Sequence, residues 1–166
     1  MNKMKLFNFS KKQEIFLPSY EGNGIVNLVS SIEKSRGGNP KYPELKILPA
    51  KELNSKNVVL IILDEMGYEY LTNQGKETFL SKNIKGKITS VLPAGTSSVL
   101  SSIYSGCAPL NTGVTGWYIF LRELGVIGES ITFSAKFSKE SLNNQVEISK
   151  LFEFTPISGQ ISSSKD

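Results

Sequence analysis

Apolar residues recur at Ile25, Leu28, Val29 and Ile32, the spacing of one helical face, and Gly37 and Gly38 end the run. That pattern predicts an amphipathic helix needing a partner surface. Residues 1–20 before it predict an irregular arm ending near Pro18, and residues 39–57 after it, with three prolines and no sustained period, predict a connector laid across something larger. The pattern then changes. Six successive apolar residues, Val58 to Leu63, are rich in β-branched types and flanked by polar ones. They predict a strand buried on both faces, as in a parallel sheet. One or two short helices are expected over residues 68–82, a second strand over 85–91, and a helix after the Pro93-Ala94-Gly95 turn with Val99, Leu100 and Ile103 inward and Gly106 at its end. Residues 107–130 are a Gly-rich loop and an aromatic segment without a clean assignment, residues 146–154 look helical, and residues 156–166 would begin a further strand.

Strands alternating with helices indicate an α/β fold. Two such units make about half of a doubly wound sheet, and a parallel sheet must be covered on both faces. The chain is therefore expected to be the N-terminal portion of a larger domain, with residues 1–50 as arm, helix and connector and residues 51–166 as the first part of the α/β domain.

Composition narrows the chemistry. The 166 residues are 39% hydrophobic and 20% charged, which is ordinary for a globular protein and argues against disorder. The single cysteine, Cys107, excludes an intrachain disulfide and reads as a small core residue in preference to a reactive thiol. There is no histidine. Serine-histidine and cysteine-histidine catalysis by these residues alone is thereby excluded, as are histidine-containing zinc motifs. The basic start lacks the apolar run of a signal peptide, so a cytoplasmic location with no membrane partner is expected. Residues 1–56 hold ten basic and five acidic side chains and the remainder nine and ten, so the excess positive charge lies in the first third. Its lysines are scattered, which points to a solvated surface and to no nucleic-acid partner.

Two groups stand where open α/β sheets place their sites. Asp64 follows the first predicted strand, and Thr96, Ser97 and Ser98 open the helix after the second. If those strands are neighbours, carboxylate and hydroxyl could share a divalent cation, which would activate an otherwise poor threonine nucleophile. The helix N-terminus would favour a phosphate at the same place. The alternative is structural, because an Asp after a strand and a Thr at a helix start both commonly serve as caps.

The stretches "VVLIILDEMGYEYL" and "ITSVLPAGTSSVLSSIYSGCAPLNTGVTGW" resemble the N-terminal half of the type I phosphodiesterase/nucleotide pyrophosphatase family of the alkaline phosphatase superfamily, and the likeness extends over roughly residues 16–155. There a strand ends in a metal-binding Asp within an Asp-Gly-x-Gly-Tyr-like turn, and a Pro-x-x-Thr element places the nucleophile at a helix start. The resemblance implies an alkaline-phosphatase-like, mostly parallel α/β sheet with helices on both faces, incomplete here. It makes Asp64 a metal ligand and Thr96 the nucleophile that also touches metal, with two divalent ions, zinc above all. The implied substrate is a phosphodiester or nucleotide-like small molecule, cleaved through a phospho-threonine intermediate. Two positions depart from the pattern: Glu65 replaces Gly, and Thr112 replaces the His of a His-Gly pair. The family's other ligands belong to a second half, a possible partner, so the chain is expected to be inactive alone. The alternative is a non-catalytic interaction piece or the remnant of a disrupted gene. Glu65 and Glu69 read as solvated or capping carboxylates in preference to further ligands. Trp117, Tyr118 and Phe120 read as core in preference to a substrate wall.

Overall fold

Helix α1 (Ile25–Ser35) organises the first half of the computed structural model, which describes residues 3–4, 15–152 and 154–161. Ahead of it, β1 (Lys3–Met4) pairs antiparallel with β2 (Ile15–Phe16). Gly24 caps α1, and the Asn27 carboxamide oxygen accepts its N–H at 3.0 Å. A Cβ at Gly24 would lie 2.2 Å from the Ser19 carbonyl, so only glycine fits. The connector wraps the helix as the prolines predict. The Leu45 N–H donates to Ser31 Oγ at 2.8 Å, and Asn27 Nδ2 donates to the Tyr20 and Pro43 carbonyls at 2.7 and 2.8 Å.

These bonds explain why the buried surface of α1 is broader than its apolar stripe. Val26, Asn27, Val29, Ser30, Ser31 and Glu33 are buried, whereas Ile25, Leu28 and Ile32 are only half-buried. Asn27 and Ser31 enter because backbone groups packed on the helix satisfy them, and Ser30 Oγ donates to the Val26 carbonyl of its own helix at 3.1 Å.

A 3-10 turn (Ala50–Glu52) leads to the expected strand at Val58–Leu63, and here the structure differs from expectation. The segment has no strand partner among the described residues, and Val59 and Ile61 are 80% and 75% exposed. A strand exists only by pairing, and six apolar residues do not supply the neighbour. Helices α2 (Tyr68–Asn73) and α3 (Phe79–Lys82) follow as predicted. The second expected strand is reduced to one parallel bridge, Thr89 with Gly24, held by Ile25 N–H to the Thr89 carbonyl and Thr89 N–H to the Asn23 carbonyl, both at 2.9 Å.

Helix α4 (Thr96–Ser105) packs against α1 and ends at Gly106 as expected, where φ of 68° makes a left-handed cap. Ile103 is buried, while Val99 and Leu100 are half-buried. A short α5 (Pro109–Thr112) turns the chain into β3 (Tyr118–Leu121), β4 (Val126–Glu129) and β5 (Ser134–Ala135). They form an antiparallel sheet in that order, with Tyr118 opposite Glu129 and Phe120 opposite Ile127. Val114, Leu121, Phe133, Leu142 and Phe152 form the core beneath it.

The fold is thus mixed α/β, but its three-stranded sheet is antiparallel and the expected mostly parallel sheet is not formed among the described residues. Nor are the aromatics at the hairpin core residues: Trp117, Tyr118 and Phe120 are 43%, 45% and 65% exposed. Helix α6 (Ile148–Leu151) lies within the segment expected to be helical. The last expected strand is instead a helical turn, α7 (Ile157–Gln160), tied to α4 by Gln160 Nε2 donating to the Ser105 carbonyl at 3.0 Å, and residues 162–166 lie outside the described residues. Among the described residues no helix is long and apolar enough to cross a membrane.

Candidate functional site

The start of α4 separates capping from chemistry. The N-cap is Gly95, in extended conformation and without a side-chain cap, so Thr96 is the first residue inside the helix. Val99 N–H is the first to bond back, to the Gly95 carbonyl at 3.0 Å. The amides of Thr96, Ser97 and Ser98 therefore have no protein acceptor, as expected at a helix N-terminus. The Thr96 side chain is half-buried and makes no hydrogen bond. Its hydroxyl is not engaged as a cap. Ser97 and Ser98 differ: they are 3% and 0% exposed, and their hydroxyls are buried without a partner.

Asp64 occupies an exposed turn between the Val58–Leu63 run and α2. Its Oδ1 accepts the Glu65 N–H at 3.0 Å, and Gly67 N–H closes the turn on the Glu65 carbonyl at 3.0 Å. Glu65 stands at φ 59°, the left-handed region that favours glycine. No hydrogen bond joins Asp64 to Thr96.

The other singled-out side chains have structural partners. Glu69 is exposed and accepts from Lys87 Nζ at 2.6 Å. Thr112 is 1% exposed; its hydroxyl donates to the Pro109 carbonyl at 3.2 Å, accepts from Val114 N–H at 3.2 Å and lies 3.4 Å from Ser101 Oγ. It fixes the end of α5 against α4. Cys107 is free and half-buried, and Trp117 Nε1 donates to Glu129 Oε1 at 2.6 Å. That bond, helped by Lys139, holds the Glu129 carboxyl below the usual carboxylate range.

The donor set does not fit a two-metal centre. Among the described residues no three His, Cys, Asp or Glu side chains converge to hold an ion, and the sequence has no histidine. Two open apolar hollows exist elsewhere, one of about 370 Å³ between Leu45, Tyr68, Leu71 and Ile88 and one of about 470 Å³ beside Phe120 and Phe137. Neither is lined by Asp64 or Thr96.

Sequence reasoning identified the Thr96 junction but missed that Gly95 takes the cap position. The signal was available, since a glycine directly before a hydroxyl residue can cap and release it. Comparison with models of protein families, with curated proteins and with solved structures returned no match for this chain.

Proposed function

We propose that the chain carries the nucleophile-bearing portion of a phosphodiester or pyrophosphate hydrolase of the type I phosphodiesterase/nucleotide pyrophosphatase kind, on the first part of an alkaline-phosphatase-like α/β framework. The observation that carries this reading is the Thr96 hydroxyl, free of any cap bond, at the start of a ten-residue helix whose first three amides are also free. A tetrahedral anion is favoured at such amides by their N–H groups and by the helix dipole. The Asp64 turn supports the same reading. It forces Glu65 into a glycine-type conformation, the position at which the resembled turn has glycine.

In this role Thr96 Oγ1 would attack phosphorus in line, form an O–P bond and expel the leaving oxygen, and water would then cleave the phospho-threonine. The amides of residues 96–98 would hold the phosphoryl oxygens. Removal of the threonine proton needs an activator, and this chain offers no histidine for it. The intact family's two zinc ions would supply that activation, but among the described residues no three ligating side chains converge to hold an ion. Substrate would be a phosphodiester or nucleotide-like small molecule, and the location cytoplasmic. The missing ligands favour one second reading, a non-catalytic interaction piece.

The purified chain, incubated with zinc and a chromogenic phosphodiester, is expected to show no turnover above background. Zinc-dependent turnover lost in Thr96→Ala would retain the nucleophile and overturn the incompleteness of the site. Turnover that survives Thr96→Ala would overturn the site itself. Reading the DNA beyond the Asp166 codon separates the two functions: a continuation bearing Asp and His ligands supports the hydrolase, and an unrelated sequence supports the interaction piece.

A further inference from the structure

Backbone hydrogen bonding halts between Lys56 and Asp64. The Lys56 carbonyl accepts from Arg36 at 3.2 Å and the Glu65 N–H donates to Asp64, but residues Asn57–Leu63 make no hydrogen bond. Seven successive residues leave their amide and carbonyl groups to water while six of them carry apolar side chains. Such a segment is a template for strand pairing. Its exposure alternates with the period of a strand: Val59, Ile61 and Leu63 are 80%, 75% and 50% exposed, and Leu60 and Ile62 are 41% and 47%. Both sides of the run are exposed, the side bearing Val59 and Ile61 the more so.

The flanking charges decide what pairs with it. Lys56 precedes the run and Asp64 follows it. When two copies pair antiparallel about a two-fold axis at Leu60, Leu60 meets Leu60, Val59 meets Ile61, Val58 meets Ile62, and Lys56 of each copy meets Asp64 of the other. Opposite charges directly across an antiparallel pair are stabilising. Moving the axis to Ile61 sets Asp64 against Val58, and moving it to Val59 sets Lys56 against Ile62. Parallel in-register stacking sets Lys56 on Lys56 and Asp64 on Asp64. The charges favour one register.

We infer that Val58–Leu63 is a self-association strand, through which two copies of this chain form a closed antiparallel dimer with its axis at Leu60 and a Lys56–Asp64 pair at each end. A two-fold contact is self-complementary and terminates after two copies. The inference concerns association of this chain and competes with the hydrolase reading, in which the same run is a covered strand of a larger sheet and Asp64 a metal ligand.

Sedimentation equilibrium across a range of protein concentrations tests it. A reversible monomer–dimer equilibrium is expected, abolished by Ile61→Lys with an unchanged circular dichroism spectrum. Ile61 is an exposed position, so that variant keeps its fold. Lys56→Glu should raise the dimer dissociation constant roughly tenfold by placing like charges at both ends. Lys56→Glu combined with Asp64→Lys should restore it. A chain that stays monomeric, a dimer indifferent to Ile61→Lys, a charge reversal without rescue, or growth into fibrils would each overturn the proposal.

Discussion

Glu33 lies 2% exposed on α1, with its Oε2 within 3.4 Å of where a Cβ on Gly106 would sit, and its Oε1 has no hydrogen-bond partner. Burial pushes its carboxyl above the usual range, and the Asn39 backbone amide pulls it partly back. The folded state therefore favours the protonated form. Stability from this group is full below the unfolded carboxyl value, about 4.3, and falls as pH rises through the folded value. Glu33→Gln keeps the shape and removes the charge, so it should raise stability by about 1 kcal/mol at about pH 7 and make little difference near pH 4. Urea unfolding at the two pH values measures this, and a variant less stable than the parent at neutral pH would refute it. Nothing in the sequence marks Glu33 as buried, because a glutamate at helical spacing reads as solvent-facing. Thr96 and Asp64 were legible as residues at element ends, whereas the freedom of the Thr96 hydroxyl depends on which neighbour takes the cap.

Helices α1, α2, α3 and α4 were legible because a helix satisfies its backbone locally, and glycines mark the ends of α1 and α4. The β3–β4 hairpin was not. Apolar side chains occupy both of its faces, Leu121 inward and Phe120 outward, so the alternation that identifies a half-buried strand is absent. Val58–Leu63 failed in the opposite direction: its composition is that of a buried strand, but burial requires a partner that periodicity cannot reveal. Serines hid the packed face of α4. Ser98, Ser102 and Ser105 are at most 1% exposed, and their small volume lets α4 approach α1. Ser105 donates to the Ser101 carbonyl at 2.7 Å, and Ser101 to the Ser98 carbonyl at 3.0 Å, whereas the Ser102 hydroxyl has no partner. A buried hydroxyl without an acceptor costs free energy, so Ser102→Ala should leave stability unchanged or raise it by up to about 1 kcal/mol. The bulkier Ser102→Val should lower it by about 1–3 kcal/mol through overpacking. Thermal and urea melts of both variants measure the contrast, and a large loss in the alanine variant would mean the hydroxyl has a partner in solution.

The molecule as a whole decides whether the predicted chemistry can run. Zinc takes four ligands in structural sites and three protein ligands in catalytic ones. This chain brings no imidazole, its single thiol is half-buried on Cys107, and no three ligating side chains converge among the described residues. Asp64 sits with Glu65 on an exposed turn, where water competes freely for the ion. A protonated threonine hydroxyl adds little. Equilibrium dialysis against zinc should therefore show no stoichiometric site at micromolar metal, and Asp64→Ala should leave the weak residual uptake unchanged. A one-to-one site that disappears in Asp64→Ala would require other donors to gather around this turn in solution, and the chain would then hold more of a hydrolytic centre than its own fold displays. Uptake indifferent to Asp64 would instead mean that any metal chemistry at Thr96 depends on ligands contributed from outside these residues.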